Sequence, residues 1–285
     1  MDIAALKAFL SVAASGSFSQ AAEQLFLTQP AVSKRVAALE SELGTRLFDR
    51  IGRSVTLTEA GRALLPRARH ILLELEDSIR AISSLSDEVH GTLRFATSHH
   101  IGLHRLPPVL KRFTREYPQV RLDIRFMDSE AACVAVEHGE LELAIVTLPP
   151  APPEKLDTRL VWPDPLAIVV AREHPLAGRR RVTLRELARH PAILPARNTY
   201  TRQIAEQAFE RTGLKLDISL STNYLETIRM LVSVGIGWSL LPLTLADRQV
   251  RRLPVSGLEL QRQLGVVRHR ERTLSNAALA LESLL

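Results

Sequence analysis

The sequence predicts an α+β multidomain chain: a helical head closed by a β-hairpin, one long linker helix, and a C-terminal half of two α/β lobes. Three observations predict it. Residues 1–58 carry three short helical patterns and then a hairpin pattern. From 59 to about 85, apolar residues recur in steps of four and three, the seam of a coiled coil. Beyond His90, strand-like runs alternate with helical ones. The expected boundaries are 1–58, 59–88 and 89–285, the last dividing into lobe I (91–161 with 265–285) and lobe II (162–264).

The bulk properties allow this organisation. The chain has 285 residues and is 46% hydrophobic, enough for two or three cores. Its formal net charge of +6 suits an anionic partner without identifying one. Cys133 is the only cysteine, which excludes an intrachain disulfide and a cysteine-rich zinc site and suits a reducing cytoplasm. The N-terminal run LKAFLSVAASGS has the look of an export signal. Asp2 makes the leading segment acidic, however, and Leu6, Phe9, Leu10 and Ala13 have helical spacing, so a core-facing helix accounts for it better. No run is long enough to span a bilayer, and no membrane partner is expected.

In the head, Gly16 stops the first helix and Ser17 caps the second, whose inner face is Ala21, Ala22 and Leu25. Thr28 caps the third helix, and Pro30 sits in its first turn, where a missing N–H costs nothing. Gly44 ends that helix. TRLFDRIGRSVTLT then reads as two strands around a tip at Ile51, Gly52 and Arg53. In the linker helix the seam is Gly61, Leu65, Ala68, Leu72, Leu75, Ile79 and Ile82, which predicts a partner helix and hence a homodimer. Pro66 should bend or fray its start.

In the C-terminal half, TLRFAT, VRLDIRF and LELAIVTL read as strands, with helices near 103–116 and 129–138 between them. A proline-rich passage at 148–156 interrupts. PLAIVVA, AILP, LDISLS and GWSLLP follow as strands, with helices near 183–189, 199–212 and 224–234, and LSNAALALESLL closes the chain as a last helix. The stretches 148–165 and 254–264 read as two crossings between the lobes.

The third helix poses the functional question. Val32, Val36 and Leu39 bury one face, while Thr28, Gln29, Pro30, Ser33, Lys34 and Arg35 form the rest. A solvated face on an all-α domain would account for such residues. So would entry into a DNA major groove: short hydroxyl and amide side chains near a helix N-terminus reach base edges or phosphate, and Lys34, Arg35, Arg50 and Arg53 would neutralise phosphates, with the hairpin as a flanking wing. Ser17 joins these as a candidate. Residues 1–90 are not net basic, because acidic residues of the linker offset the head, so any positive patch is local.

The run FSQAAEQLFLTQPAVSKRVAALESELGTRLFDRIGRSVTLTEAGRALL resembles the DNA-binding head of LysR-type transcriptional regulators, and the resemblance extends over essentially the whole chain. It implies a winged helix-turn-helix, a dimer through the linker helix, commonly a tetramer, and an effector domain whose two lobes resemble a periplasmic binding protein. By position, Gln29, Pro30, Ser33, Lys34 and Arg53 match the family's DNA-contacting motif. Lys34 stands where arginine is frequent, so a point-charge contact replaces a bidentate one. The resemblance also implies a small, commonly anionic metabolite between the lobes, with Ser98 and Thr199 at contacting positions, and RNA polymerase as a partner if the regulator activates.

Ligands of open α/β sheets bind beyond the carboxyl ends of strands. Those ends here are Thr97 and Ser98, then Ser129 and Thr147, and in lobe II Asn198, Thr199, Tyr200, Thr222 and Asn223. They suit a small polar ligand held by neutral hydrogen bonds, although Ser129 and Thr222 read rather as helix caps. His99 and His100 favour an anion. His100 and His104 stand at i, i+4, but no HExxH pattern or nearby acidic residue completes a metal site, so no metal and no cofactor is expected. Cys133 reads as a buried thiol, GIGWSLLP lacks the third glycine of a dinucleotide loop, and nothing suggests an enzyme. Two functions remain: a cytoplasmic DNA-binding regulator controlled by a small metabolite, or a solute-binding module without a regulatory role.

Overall fold

Three helices, a hairpin and a long helix build the N-terminal part of the computed structural model, which describes residues 1–51, 54–83 and 88–285. The chain divides into two units, Met1–Ser86 and Asp87–Leu285. In the first, α1 (Ile3–Ser15), α2 (Phe18–Gln24) and α3 (Gln29–Leu43) precede β1 (Phe48–Ile51), β2 (Ser54–Leu57) and α4 (Glu59–Ser83). The stops and caps lie where the sequence puts them: Gly16 and Gly44 adopt left-handed conformations, and the Ser17 and Thr28 side chains accept bonds from the backbone N–H of Gln20 and Ala31. Phe9 and Phe18 both pack on Phe48, with ring centroids 5.3 and 5.8 Å apart. Val32, Val36 and Leu39 of α3 close the same core. Burying such side chains contributes roughly 1.5–3 kcal/mol each, so one face of α3 is committed to folding and the other is left to solvent.

The long helix departs from the expected seam. Pro66 lies inside α4 without ending it. Gly61, Leu65, Ala68 and Leu72 do not form a free stripe: Ala68 is buried in the head's own core, with Leu65 and Leu72 packed against that core. A Cβ on Gly61 would stand 2.2 Å from the Leu47 carbonyl oxygen. Leu75 is half-buried, while Ile79 and Ile82 are 58% and 70% exposed. The helix start must pack on the head because the head's three short helices leave their apolar side uncovered there.

The second unit is organised by a seven-stranded mixed sheet. β3 (Gly91–Thr97), β4 (Val120–Phe126) and β5 (Leu143–Thr147) are parallel in the order β5-β3-β4, connected through α5 (His99–His104), α6 (Leu106–Glu116) and α7 (Ser129–Glu137). β6 (Leu156–Val170) and β11 (Leu260–His269) run antiparallel along each other. At one end β11 joins β5; at the other, β6 takes up β9 (Ser239–Pro242) and β10 (Arg251–Leu253). Beside that end, α8 (Leu184–Leu187), α9 (Tyr200–Glu210) and α10 (Leu225–Ser233) accompany a parallel pair, β7 (Ala192–Leu194) and β8 (Ile218–Ser221), and α11 (Asn276–Ser283) packs back near β3.

The stretches read as crossings are strand from Leu156 onward in the first and from Leu260 onward in the second. Pro163 and Pro165 hid the first half of β6, since proline supplies no ladder donor; its second half is the PLAIVVA strand. That stretch has β11 on one side, and β9 begins opposite only at Leu166, so the missing donors can face the open edge. The register slips between Leu264 and Gly265, where a Cβ would meet the Arg159 carbonyl oxygen at 2.1 Å; glycine permits that approach. Alternate residues serve opposite cores: Ile168 and Val170 join Trp238 and Phe209 on one side, and Val169 joins Ile193 and Ile228 on the other.

Candidate functional site

On the head, the outward face of α3 carries Gln29, Pro30 and Lys34 exposed, with Ser33 and Arg35 half-buried. Gln29 Nε2 donates to Ser33 Oγ at 2.9 Å, so two candidate groups are ordered against each other one turn apart. Thr28 is exposed but its oxygen caps α3, and Ser17 is half-buried with its oxygen capping α2. Arg50 lies in β1 opposite Val55. Arg53, with the rest of the hairpin tip, falls outside the described residues. Between α2 and α3, Phe26 has φ 55° and is 95% exposed, an uncommon state for a bulky side chain.

In the second unit a cleft forms beyond the ends of β3 and β5, facing the N-termini of α9 and α10. Its lining includes Ser98, His99, Ser129, Thr147, Thr199 and Asn223, so six of the nine residues expected from sequence meet there. The other three do not line it. Thr97 is fully buried and donates to the Ile145 carbonyl at 2.8 Å. Asn198 is exposed. Tyr200 packs on the core beside Cys133, whose thiol burial pushes up to about 11, the inert state expected of it. Two capping roles also change. Ser129 does not cap α7; its Oγ accepts from the Thr147 N–H at 3.1 Å. Thr222 does not cap α10, whose N-cap is Tyr224. Thr199 does cap α9, accepting from Arg202 N–H at 3.3 Å while its own hydroxyl donates to Ala196 at 2.9 Å.

Several cleft residues escaped sequence reasoning. Arg262 of β11 is buried against Asp164 of β6 at 2.7 Å, and Arg105 reaches the same carboxylate at 3.4 Å. Burial lowers the Arg262 pKa, with Asp164 working against the fall. Arg262 Nε and Nη1 bond to Asp164 and Thr201, but its buried Nη2 has no partner. Asp128 accepts from Asn223 Nδ2 at 2.7 Å, and Asn223 Oδ1 accepts from the Ala196 N–H at 2.8 Å. Glu130 Oε1 accepts from the Tyr200 N–H at 2.5 Å, at the N-terminal turn of α9, where the helix dipole favours a negative charge. Burial nevertheless raises its pKa. The strand holding Arg262 was not legible, and Glu130 stands two residues inside a helix whose sequence gives no cue that it spans the cleft.

These bonds tie the two walls together and leave a cavity of about 50 Å³, room for a water or two. A wider groove of about 760 Å³ lies elsewhere, beside Arg172, Arg248, Arg251 and Arg252; Arg172 and Arg252 are bonded to backbone carbonyls there. The cleft is the better candidate, because its buried polar groups converge.

The expectation that no acidic residue accompanies His100 and His104 fails in three dimensions. Glu226 of α10 places Oε1 2.8 Å from His104 Nε2 and 3.9 Å from His100 Nδ1. Burial, and after it Arg262, pushes His100 down to about 3. Burial alone would raise Glu226, but the His104 hydrogen bond carries it below the ordinary range. His99 packs between Phe126 and Tyr224, with centroids 5.4 and 4.8 Å away.

Residues 3–62 match the family model "Bacterial regulatory helix-turn-helix protein, lysR family", and residues 86–285 match "LysR substrate binding domain". An HTH-type transcriptional regulator from the ibpB-leuC intergenic region of Azotobacter vinelandii is 68% identical over 108 residues, 38% of this chain and 75% of that one. The HTH-type transcriptional activator CmpR of Synechocystis is 30% identical over 275 residues, covering 95% of this chain and 90% of that protein. A full-length OxyR variant from Pseudomonas aeruginosa superposes with a TM-score of 0.74 at 22% identity, covering 100% of this chain and 94% of the other. Among the described residues, no helix is long and apolar enough to cross a membrane.

Proposed function

Because the chain belongs to the LysR family of transcriptional regulators, we propose that it reads DNA with the outward face of α3 and responds to a small carboxylate held in the cleft. It is a regulator with an effector-binding domain, not an enzyme. On α3, Gln29 and Ser33 would reach base edges while Lys34, Arg35, Arg50 and Arg53 neutralise phosphates. What supports this is the division of α3 into a buried apolar face and an outward face with Gln29 held to Ser33.

The unpartnered Arg262 Nη2 carries the effector reading. A buried guanidinium donor left open is costly, and a carboxylate satisfies it with a charge-assisted bond. Ser98 and Thr147 stand along the same cavity. Asp128 and Glu130, which line the same cavity, favour hydroxyl or amino donors elsewhere on the ligand, so a hydroxy- or amino-substituted carboxylate fits better than a bare one. A cavity this small admits it only if the walls separate, and binding changes function only if it favours one arrangement of the walls. The slip at Leu264/Gly265 marks where we place the boundary between the lobes.

We further place the protein in the cytoplasm as a homodimer through the end of α4, able to pair again into a tetramer and to contact RNA polymerase where it activates. A solute-binding module without regulatory role finds no support, since a helix-turn-helix model covers 3–62. The experiment is to isolate genomic fragments retained by the full chain, footprint the tightest, and titrate substituted carboxylates by calorimetry. Ser98→Ala should weaken the ligand at least about threefold, the loss of one modest hydrogen bond, with basal operator affinity unchanged. Unaltered affinity would place the effector elsewhere.

A further inference from the structure

His100 presents the least explained group in the molecule. The ring is 4% exposed, and neither of its nitrogens has a hydrogen-bond partner. Buried polar atoms are satisfied in the great majority of cases, so two orphans on one ring call for a cause. One helical turn on along α5, the His104 ring lies 4.9 Å away, centroid to centroid. Glu226 comes from α10 on the far wall of the cleft, within reach of both. One ligand atom from each residue lies within 4.8 Å of the others.

We propose that His100, His104 and Glu226 bind a divalent transition-metal ion of the zinc class, linking α5 to α10 across the cleft. Two imidazole nitrogens and a carboxylate oxygen form the donor set that such ions prefer, whereas magnesium and calcium favour oxygen alone. With bonds of about 2.0–2.2 Å, tetrahedral ligand atoms stand roughly 3.3–3.5 Å apart. The His104–Glu226 distance of 2.8 Å and the His100–Glu226 distance of 3.9 Å lie on either side of that value, and all three ligand atoms lie within 4.8 Å of one another, so side-chain adjustments of about an ångström bring them to an ion. Neither His100 nitrogen is engaged by a hydrogen bond, so one is open to coordinate an ion. Arg105 and Arg262 are the opposing charges nearby, and both are engaged by Asp164. Three protein ligands leave a fourth position for water or for an acidic ligand. The ion would hold the two walls together more tightly than the His104–Glu226 hydrogen bond does. This inference does not depend on the effector's identity.

The test uses the full chain, stripped with a chelator and titrated with Zn²⁺ alone by calorimetry, and with Co²⁺, whose visible absorption reports four-coordinate nitrogen and oxygen ligation. The expected result is one ion per chain at this site and a raised melting temperature with Zn²⁺. His104→Ala and Glu226→Gln should each weaken uptake at least about tenfold, since losing a ligand costs no less than losing the group that orients one, and should abolish the thermal shift. Both side chains are about a third exposed, so the variants should fold, and circular dichroism confirms it. His174→Ala, which breaks the other imidazole pair, with His190 at 4.6 Å, should leave uptake unchanged. No uptake, or uptake that His104→Ala and Glu226→Gln leave intact, would overturn the site.

Discussion

Gly61 shows how much a single residue can decide. On the heptad count it belongs to a seam meant for another chain, yet it sits where α4 crosses the head's own backbone. A Cβ there would lie 2.2 Å from the Leu47 carbonyl oxygen and 2.8 Å from Leu57 Cδ2. The first is backbone and cannot swing aside, so Gly61→Ala must push α4 outward. We expect a loss of about 1–3 kcal/mol, the usual cost of overpacking, read as a lower urea midpoint for the head. An alanine variant as stable as the parent would mean that α4 docks differently. Gln29, in contrast, was readable from sequence alone. Its neighbours on the buried face have the spacing that forces it outward, and the structure adds only its bond to Ser33.

At the scale of the element, α3 and α4 make separable predictions. Gln29→Ala should reduce discrimination between the operator and a random duplex by about 1–3 kcal/mol, because a base contact carries sequence information. Lys34→Ala should weaken both duplexes alike and lower the magnitude of the salt slope by about 1, since a phosphate contact releases a counterion whatever the sequence. Gel-shift titrations at two salt concentrations separate the two outcomes; identical behaviour of both variants would refute the division of labour on α3. For α4 the structure redirects the obvious experiment. Leu72→Asp would place a carboxylate against the head core and damage folding, whatever the assembly. Ile79 and Ile82 are the exposed end of the seam. Ile79→Asp should therefore leave the melting of the head unchanged while dissociating the proposed dimer, because an unpaired carboxylate is costly to bury against its symmetry mate. Sedimentation that shows the same mass as the parent would place the dimer contact elsewhere.

At the scale of the whole molecule, the effector half is held by β6 and β11, the long paired strands of its sheet, and by a few polar bonds that close the cleft. Asn223 is the centre of that closure, donating to Asp128 and accepting from Ala196. Asn223→Ala removes both bonds, each contributing about 0.5–1.5 kcal/mol, while leaving intact the apolar clusters, to which Asn223 does not belong. The expected result is faster amide exchange at 195–200 and in the first turns of α7 and α10, with the remainder of the sheet as protected as before. Uniform loss of protection would mean that Asn223 serves the fold rather than the closure.

The sequence by itself determined the head, its caps, the outward face of α3 and the alternation of strands and helices in the effector half. These depend on local periodicity, glycine stops and hydroxyl caps, all written within a few residues of where they act. It also nominated six of the cleft-lining residues, because strand ends and helix starts are local features. The tertiary structure alone decided the rest. Gln261, Arg262 and Gln263 dilute the apolar pattern at the start of β11, and prolines interrupt the first half of β6, so only their mutual pairing shows how far both strands run. Arg262 acquires its meaning from Asp164, 98 positions away. Glu226 stands 122 positions from His104, and no spacing rule reaches that far. The same holds for α4, whose repeat is indifferent to what covers it. Periodicity states that a face must be buried; only packing chooses between the head's own core and a second chain.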